Sequence, residues 1–188
     1  PPGANPVPGR ETTLVRMVEE TVRIEVQPET RENSLGQAQV KAEFIMRNTG
    51  TADESMAVRF PLGIPNGWGN IAIIEKIEVM VGGSKVSTRL ISGLDTAGLS
   101  EEVPWAEFDV VFPAGRDISI SVEYALEGAG ELPYIWFNYV FSSGAGWKDS
   151  IGKADLIVSF PYEVDQLFLL NCIDYLYNCT VPGGVING

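Results

Sequence analysis

Two cysteines, four tryptophans and a scatter of loop carboxylates are the side chains of this sequence with chemistry to offer. Cys172 and Cys179 stand close together in the stretch NCIDYLYNC. Without a further cysteine or any histidine, the pair cannot complete a zinc site, which takes four ligands. The spacing reads as a disulfide, with two reduced, buried thiols as the alternative. Such a bridge closes a small loop, so its stabilisation is below about 3 kcal/mol, and it implies an oxidising compartment. Asn178-Cys179-Thr180 fits the Asn-x-Thr acceptor pattern, which makes Asn178 a glycosylation candidate. Trp68 and Trp147 fall in loops rich in small residues. An indole exposed there is a stacking platform for a sugar ring, and a covered one packs the core or an edge of the sandwich. Asp95, Glu101, Glu102, Asp149 and Asp165 are loop acids of the kind that hold a structural calcium, although none has the spacing of a calcium loop. No other cofactor is expected.

The remaining chemistry is thin. The chain has no histidine, which removes the commonest general base, the Ser/His and Cys/His nucleophile pairs and the commonest transition-metal ligand. It carries no phosphate-cradling glycine loop and no nucleophile elbow. No pair of acids stands out from an acidic surface as a glycosidase pair would. The formal net charge is −12, from 13 basic and 25 acidic residues. A nucleic-acid partner needs a basic face to displace counterions, and anionic lipid repels an acidic one, so both are disfavoured. No run of about 18 apolar residues is present to span a membrane as a helix. The chain begins at Pro1 instead of Met, which reads as a mature or trimmed form with any signal peptide already removed.

The elements that must position these residues are strands. Val22, Ile24 and Val26 alternate with Thr21, Arg23 and Glu25, and residues 38–47 alternate more cleanly still. That two-residue period predicts half-buried antiparallel strands. Met56–Phe60, Ile73–Val81, Lys85–Ile91, Trp105–Phe112, Ile118–Leu126 and Val164–Leu170 are further strands by the same reading. Gly82-Gly83 is a tight hairpin turn between two of them. Tyr134–Phe141 is apolar on both alternating faces, as a central, doubly covered strand would be, and Ala154–Phe160 reads as its hairpin partner. Residues 92–103 are irregular, a short helix or a loop. No sustained helical period appears. Short strands at regular spacing argue for an all-β protein, an antiparallel β-sandwich of immunoglobulin-like or jelly-roll-like type with little helix. Residues 1–10, with four prolines and two glycines, read as a linker or arm outside the core. Residues 11–188 then form the sandwich, with a split into two subdomains near 127–132 as an alternative.

The segment Tyr139–Ala154, YVFSSGAGWKDSIGKA, resembles a broad group of uncharacterised secreted bacterial β-sandwich proteins. In that group a strand ending in a Thr/Ser-Gly-x-x-Trp turn is followed by an Ile-Gly-x-Ala strand. Val40–Pro61, with Phe44, Asn48, Gly50 and its Val-x-Phe-Pro ending, is similar to the group's early strands. These motifs are structural and carry no catalytic residue across. The resemblance implies an extracellular protein whose further strands follow the equivalent of Gly188.

The function expected from these observations is that of a non-enzymatic extracellular or cell-surface module with a structural or interaction role, not an enzyme. Its partners are expected to be proteins or copies of itself, with filament assembly by strand addition to an open edge as one route. A carbohydrate-binding module using Trp68 or Trp147 is the alternative.

Overall fold

The computed structural model of the chain describes residues 4–10, 12–29, 35–63, 74–94, 102–131, 134–137, 139, 144 and 146–162. These fold as an all-β sandwich. In chain order the strands are β1 (Val7–Pro8), β2 (Val15–Val26), β3 (Gln37–Asn48), β4 (Glu54–Pro61), β5 (Ile77–Val81), β6 (Ser84–Val86), β7 (Arg89–Leu94), β8 (Glu102–Phe112), β9 (Asp117–Glu127), β10 (Ala129–Glu131), β11 (Tyr134–Trp136) and β12 (Lys153–Ser159). One sheet runs β12-β2-β3-β9-β5-β6 and the other β1-β4-β8-β7, with β10 and β11 as a separate ribbon. Every pairing between these strands is antiparallel except that of β12 with β2.

The core lies between the two sheets. Val40, Ala42, Phe44 and Met46 of β3 and Ile120, Val122 and Tyr124 of β9 face Val58 and Phe60 of β4 and Phe108, Val110 and Phe112 of β8, all buried. The alternation of β3 and β9 places one side chain in two on this inner face, which is why their sequence pattern is so regular. Phe60 and Tyr124 meet across the interface with ring centroids 5.6 Å apart, at a tilt of 55°. The outer faces carry charge ladders. Arg89 spans Asp109 and Glu107 on the smaller sheet, and Lys41 lies 3.2 Å from Glu123 on the larger.

The glycine turn is where the sequence placed it. Gly82 and Gly83 take φ of 57° and 79°, and Val81 pairs with Ser84. The stretch read as one strand, Lys85–Ile91, is divided. Its start is β6 in the larger sheet and its end is β7 in the smaller, so the chain changes sheets at Ser87-Thr88. Both halves alternate, and a period of two does not record which sheet a strand joins.

Three further expectations are corrected. The doubly apolar run Tyr134–Phe141 is not the central strand. That place belongs to β3, which pairs with β2 on one side and β9 on the other. Among the described residues of the run, Tyr134–Trp136 is the part in a strand, in the small ribbon with β10. Beyond it Phe137 and Tyr139 pack against the core from outside the sheets, while Trp136, within the strand, stays 54% exposed. Aromatic residues can plug a core as well as line a strand. Nor is Ala154–Phe160 the hairpin partner of that run. As β12 it lies parallel to β2, from Lys153 opposite Glu19 to Ser159 opposite Glu25. This pairing returns the chain beyond residues 127–132 to the sheet begun before them, so the described residues on both sides share one sandwich.

The third correction concerns the N-terminal arm. Ala4 and Asn5 are buried, Val7 and Pro8 pair with Arg59 and Val58 of β4, and the Gly9 amide donates to the Ala57 carbonyl at 2.8 Å. A proline pair is compatible with this because β1 is an edge strand of two residues, where a missing N–H costs little.

Candidate functional site

Strand β2 carries a bulge. Its register against β3 shifts between Met17 and Glu19, so Val18 is the extra residue. Inward positions are odd-numbered before the bulge, at Val15 and Met17, and even-numbered after it, at Glu20, Val22 and Ile24. A bulge re-aims the side chains that follow it, and here it brings a carboxyl group into the core. The bulged carbonyl of Val18 needs room on its edge. A Cβ on Gly152 would stand 2.3 Å from that oxygen, so glycine is required where the chain passes it. The segment from Lys148 onward runs along this edge, donating from the Lys148 amide to Val15 O and from the Gly152 amide to Met17 O before β12 begins.

Glu20 is fully buried. The Asn5 side-chain amide donates to its Oε2 at 3.1 Å, and the Tyr139 hydroxyl lies 2.9 Å from its Oε1. Tyr139 also lies 3.1 Å from Asn5 Oδ1, which joins the three side chains in a closed triangle. The cluster gathers residues from the first strand's approach, from β2 and from the region before β12. Burial pushes the Glu20 carboxyl up to about 7, against the lowering effect of its hydrogen bonds to Tyr139 and Asn5. Burial also raises the phenols of Tyr139 and of the neighbouring Tyr124, and the Glu20 charge adds to both. The Tyr124 hydroxyl is buried without a hydrogen-bond partner among the described residues.

A folded pKa raised from 4.5 to about 7 means that the folded chain holds a proton the unfolded chain releases. The stabilisation is complete below about 4.5 and is lost as pH rises through about 7. At 1.36 kcal/mol per pH unit, the difference is about 3 kcal/mol. Denaturant titrations at successive pH values are expected to show stability falling by this order between pH ~4.5 and ~7.5. A flat profile would contradict the burial of an ionisable Glu20.

Of the residues singled out in the sequence, Trp147 is buried and is not a platform. It is 4% exposed, its ring meets Phe112 edge-on at 5.8 Å, and its indole N–H donates to Pro6 O at 2.7 Å. A buried indole of this kind packs and caps, and it cannot stack a sugar. Trp105 is also buried. The exposed indole among the described residues is that of Trp136, on the β10–β11 ribbon. Asp149 is exposed, with a φ of 60°, in the turn before β12. No cluster of acids or cysteines fit for a metal occurs among the described residues. Trp68, Asp95, Glu101, Asp165, Cys172, Cys179, Asn178 and the strand expected at Val164–Leu170 lie outside the described residues, as does the side chain of Glu102.

Sequence reasoning passed over Glu20 and Asn5. The signal for Glu20 was present: Val15 and Met17 have odd parity, Val22 and Ile24 even, and a parity change inside one strand marks a bulge. Glu20 shares the parity of Val22.

The described surface carries two further features. A shallow groove of about 380 Å³ crosses the outer face of the larger sheet, lined by Lys41, Glu43, Ile45, Glu78, Met80 and Glu123. Its acids are already engaged, Glu43 and Glu123 with Lys41 and Glu78 with Lys85. The other feature is β12. Among the described residues it pairs only with β2. Leu156, Ile157 and Val158 are 47, 43 and 38% exposed. Consecutive strand residues point to opposite faces, so apolar surface is open on both sides of this edge.

No protein-family model matches the chain, and no curated protein matches it. Among solved structures, that of a proposed nutrient-binding protein from Legionella pneumophila is similar over 84% of this chain, with a TM-score of 0.71 and 24% identity. The chain spans 53% of that protein's length, about half. At this identity the likeness shows a shared fold. An M1 zinc metallopeptidase from Deinococcus radiodurans aligns over 68% of the chain and 25% of its own, with a TM-score of 0.36 and 13% identity.

Proposed function

We propose that this chain is a non-enzymatic binding module of the cell surface or extracellular space, and that it binds an extended, basic polypeptide segment along β12. The observation that carries this reading is the edge strand with apolar side chains exposed on both faces, Leu156, Ile157 and Val158, paired on one side only among the described residues. Natural sheets usually blunt such an edge with charge, proline or a bulge. Here the charged pair, Lys153 and Asp155, stands at its beginning. An added strand satisfies the free backbone groups and covers the apolar side chains. The net charge of −12 opposes a second copy and favours a basic partner. The Legionella neighbour, described as binding a nutrient, supports a binding role in general terms.

The probe is an acetylated peptide of alternating lysine and valine, about eight residues long to match the seven of β12. Isothermal titration is expected to show saturable binding to the chain. Ile157→Lys places a charge on the edge and is expected to weaken binding at least about tenfold, or 1.4 kcal/mol, with little change in folding stability. Equal binding to both proteins, or no binding to either, would reject the edge as the recognition surface.

A further inference from the structure

We propose that Glu20, Asn5 and Tyr139 form a proton-operated lock: protonated Glu20 closes a three-membered hydrogen-bond ring that fastens the N-terminal segment and the segment carrying Tyr139 onto β2, and loss of the proton opens it. The geometry carries this. The three contacts measure 3.1 Å between Asn5 Nδ2 and Glu20 Oε2, 2.9 Å between Tyr139 and Glu20 Oε1, and 3.1 Å between Tyr139 and Asn5 Oδ1. A tyrosine hydroxyl has one hydrogen. If Glu20 is ionised it only accepts, so Tyr139 gives its hydrogen to Glu20. The Tyr139–Asn5 contact is then oxygen against oxygen with no hydrogen between. If Glu20 is protonated, Oε1–H donates to the Tyr139 oxygen, Tyr139 donates to Asn5 Oδ1, and Asn5 Nδ2–H donates to Glu20 Oε2. Within the ring each residue donates once and accepts once, and all three contacts are hydrogen bonds. The proton-bearing form is the one that satisfies the observed triangle.

The surroundings favour that form. From β9, Tyr124 is the titratable group facing Glu20, and burial holds its phenol protonated. From β3, Glu20 is paired with Phe44, flanked on the inner face by Ala42 and Met46. From β4 and β8 the inner residues are Val58, Phe60, Phe108 and Val110. None of these is charged. On β2 itself, Glu19 is ion-paired outside with Lys153, and Arg16 belongs to the opposite parity, beside Gly152. The chain has no histidine, so no side chain of ordinary pKa changes charge between pH ~5 and ~8. The Glu20 carboxyl resonance therefore assigns the proton event, and the terminal amino group is followed separately.

What the lock holds is the N-terminal segment. Asn5 precedes Pro6, whose carbonyl receives the Trp147 indole N–H, and then β1 and the Gly9 amide bond to Ala57. The test uses the whole chain. The Glu20 carboxyl shift is followed against pH by nuclear magnetic resonance, and hydrogen exchange is read at the Gly9 amide and the Trp147 indole. Glu20→Gln keeps one donor and one acceptor for the ring but cannot ionise. Expected are a Glu20 titration near 7, equal exchange in wild type and variant at pH ~5.5, and exchange at least about tenfold faster in wild type at pH ~8.5. A Glu20 titration near its ordinary 4.5, or equal exchange at both pH values, would overturn the proposal. If Glu20→Gln does not fold, Tyr139→Phe decides. It breaks the ring while leaving Glu20 ionisable, so exchange at pH ~5.5 must rise, and exchange unchanged from wild type overturns the lock.

Discussion

Replacing Trp147 with alanine is expected to cost about 3–5 kcal/mol of folding stability, the range for removing a large aromatic from a packed site. Trp147 fills the space beside Phe112 at one end of the sandwich and is almost wholly buried. Its indole also ties Pro6, and hence β1, to the region before β12. The loss therefore combines a cavity, a missing edge-on ring contact and an unpaired buried carbonyl. For a chain of this length the melting temperature falls on the order of 10 °C. Urea unfolding of wild type and Trp147→Ala measures it. Trp147→Phe should fall between them, because it keeps much of the volume and loses the hydrogen bond. A loss below about 1 kcal/mol in Trp147→Ala would mean that the indole is exposed, as a sugar platform would require.

Asn48→Leu is the second large effect. Asn48 is fully buried at the end of β3, and its side chain makes three hydrogen bonds. Nδ2 donates to Ala52 O and to Phe112 O, each at 2.9 Å, and Oδ1 accepts from the Gly50 amide at 2.8 Å. One side chain thus closes the β3–β4 turn and ties it to the end of β8. Leucine has a similar volume and none of these groups. It strands the buried Phe112 carbonyl away from water, at about 1–3 kcal/mol, removes the partners of the less buried Ala52 carbonyl and Gly50 amide, and undoes the turn they close. The expected loss is at least about 3 kcal/mol by the same urea titration. Asn48→Asp keeps the acceptor and loses both donors, so it should also destabilise, and more as pH rises above ~4. A Leu variant as stable as wild type would show that these polar groups find other partners.

Much of the sandwich was legible in the sequence because β3, β4, β8 and β9 each bury one face, and the period of two follows directly from that. Turn chemistry was legible at Gly82-Gly83 for the same local reason. The misreadings were non-local. Tyr134–Phe141 and Ala154–Phe160 have the composition of a covered hairpin, yet the first supplies plugs to the core and the second joins β2 in parallel. Composition records burial, but it does not record a partner. Residues 4–10 look like a linker because proline and glycine do not advertise packing, while their anchors, Glu20, Tyr139 and Trp147, lie 15, 134 and 141 residues from their partners in sequence, the first of them behind a bulge. The lock around Glu20 needed the parity break in β2 to be taken as structure instead of noise.

The claim on which the proposed function rests is that one edge of β12 is free to take a strand. Hydrogen–deuterium exchange of Lys153–Ser159 in the whole chain, alone and with the lysine–valine peptide, tests it directly. In a strand paired on one side, alternate amides point away from the partner. The account predicts that those outward amides exchange quickly in the chain alone and slow markedly with the peptide, while the inward ones stay protected throughout. If every β12 amide is already protected without the peptide, the edge is covered by the chain itself, and the proposal of strand addition at β12 is contradicted.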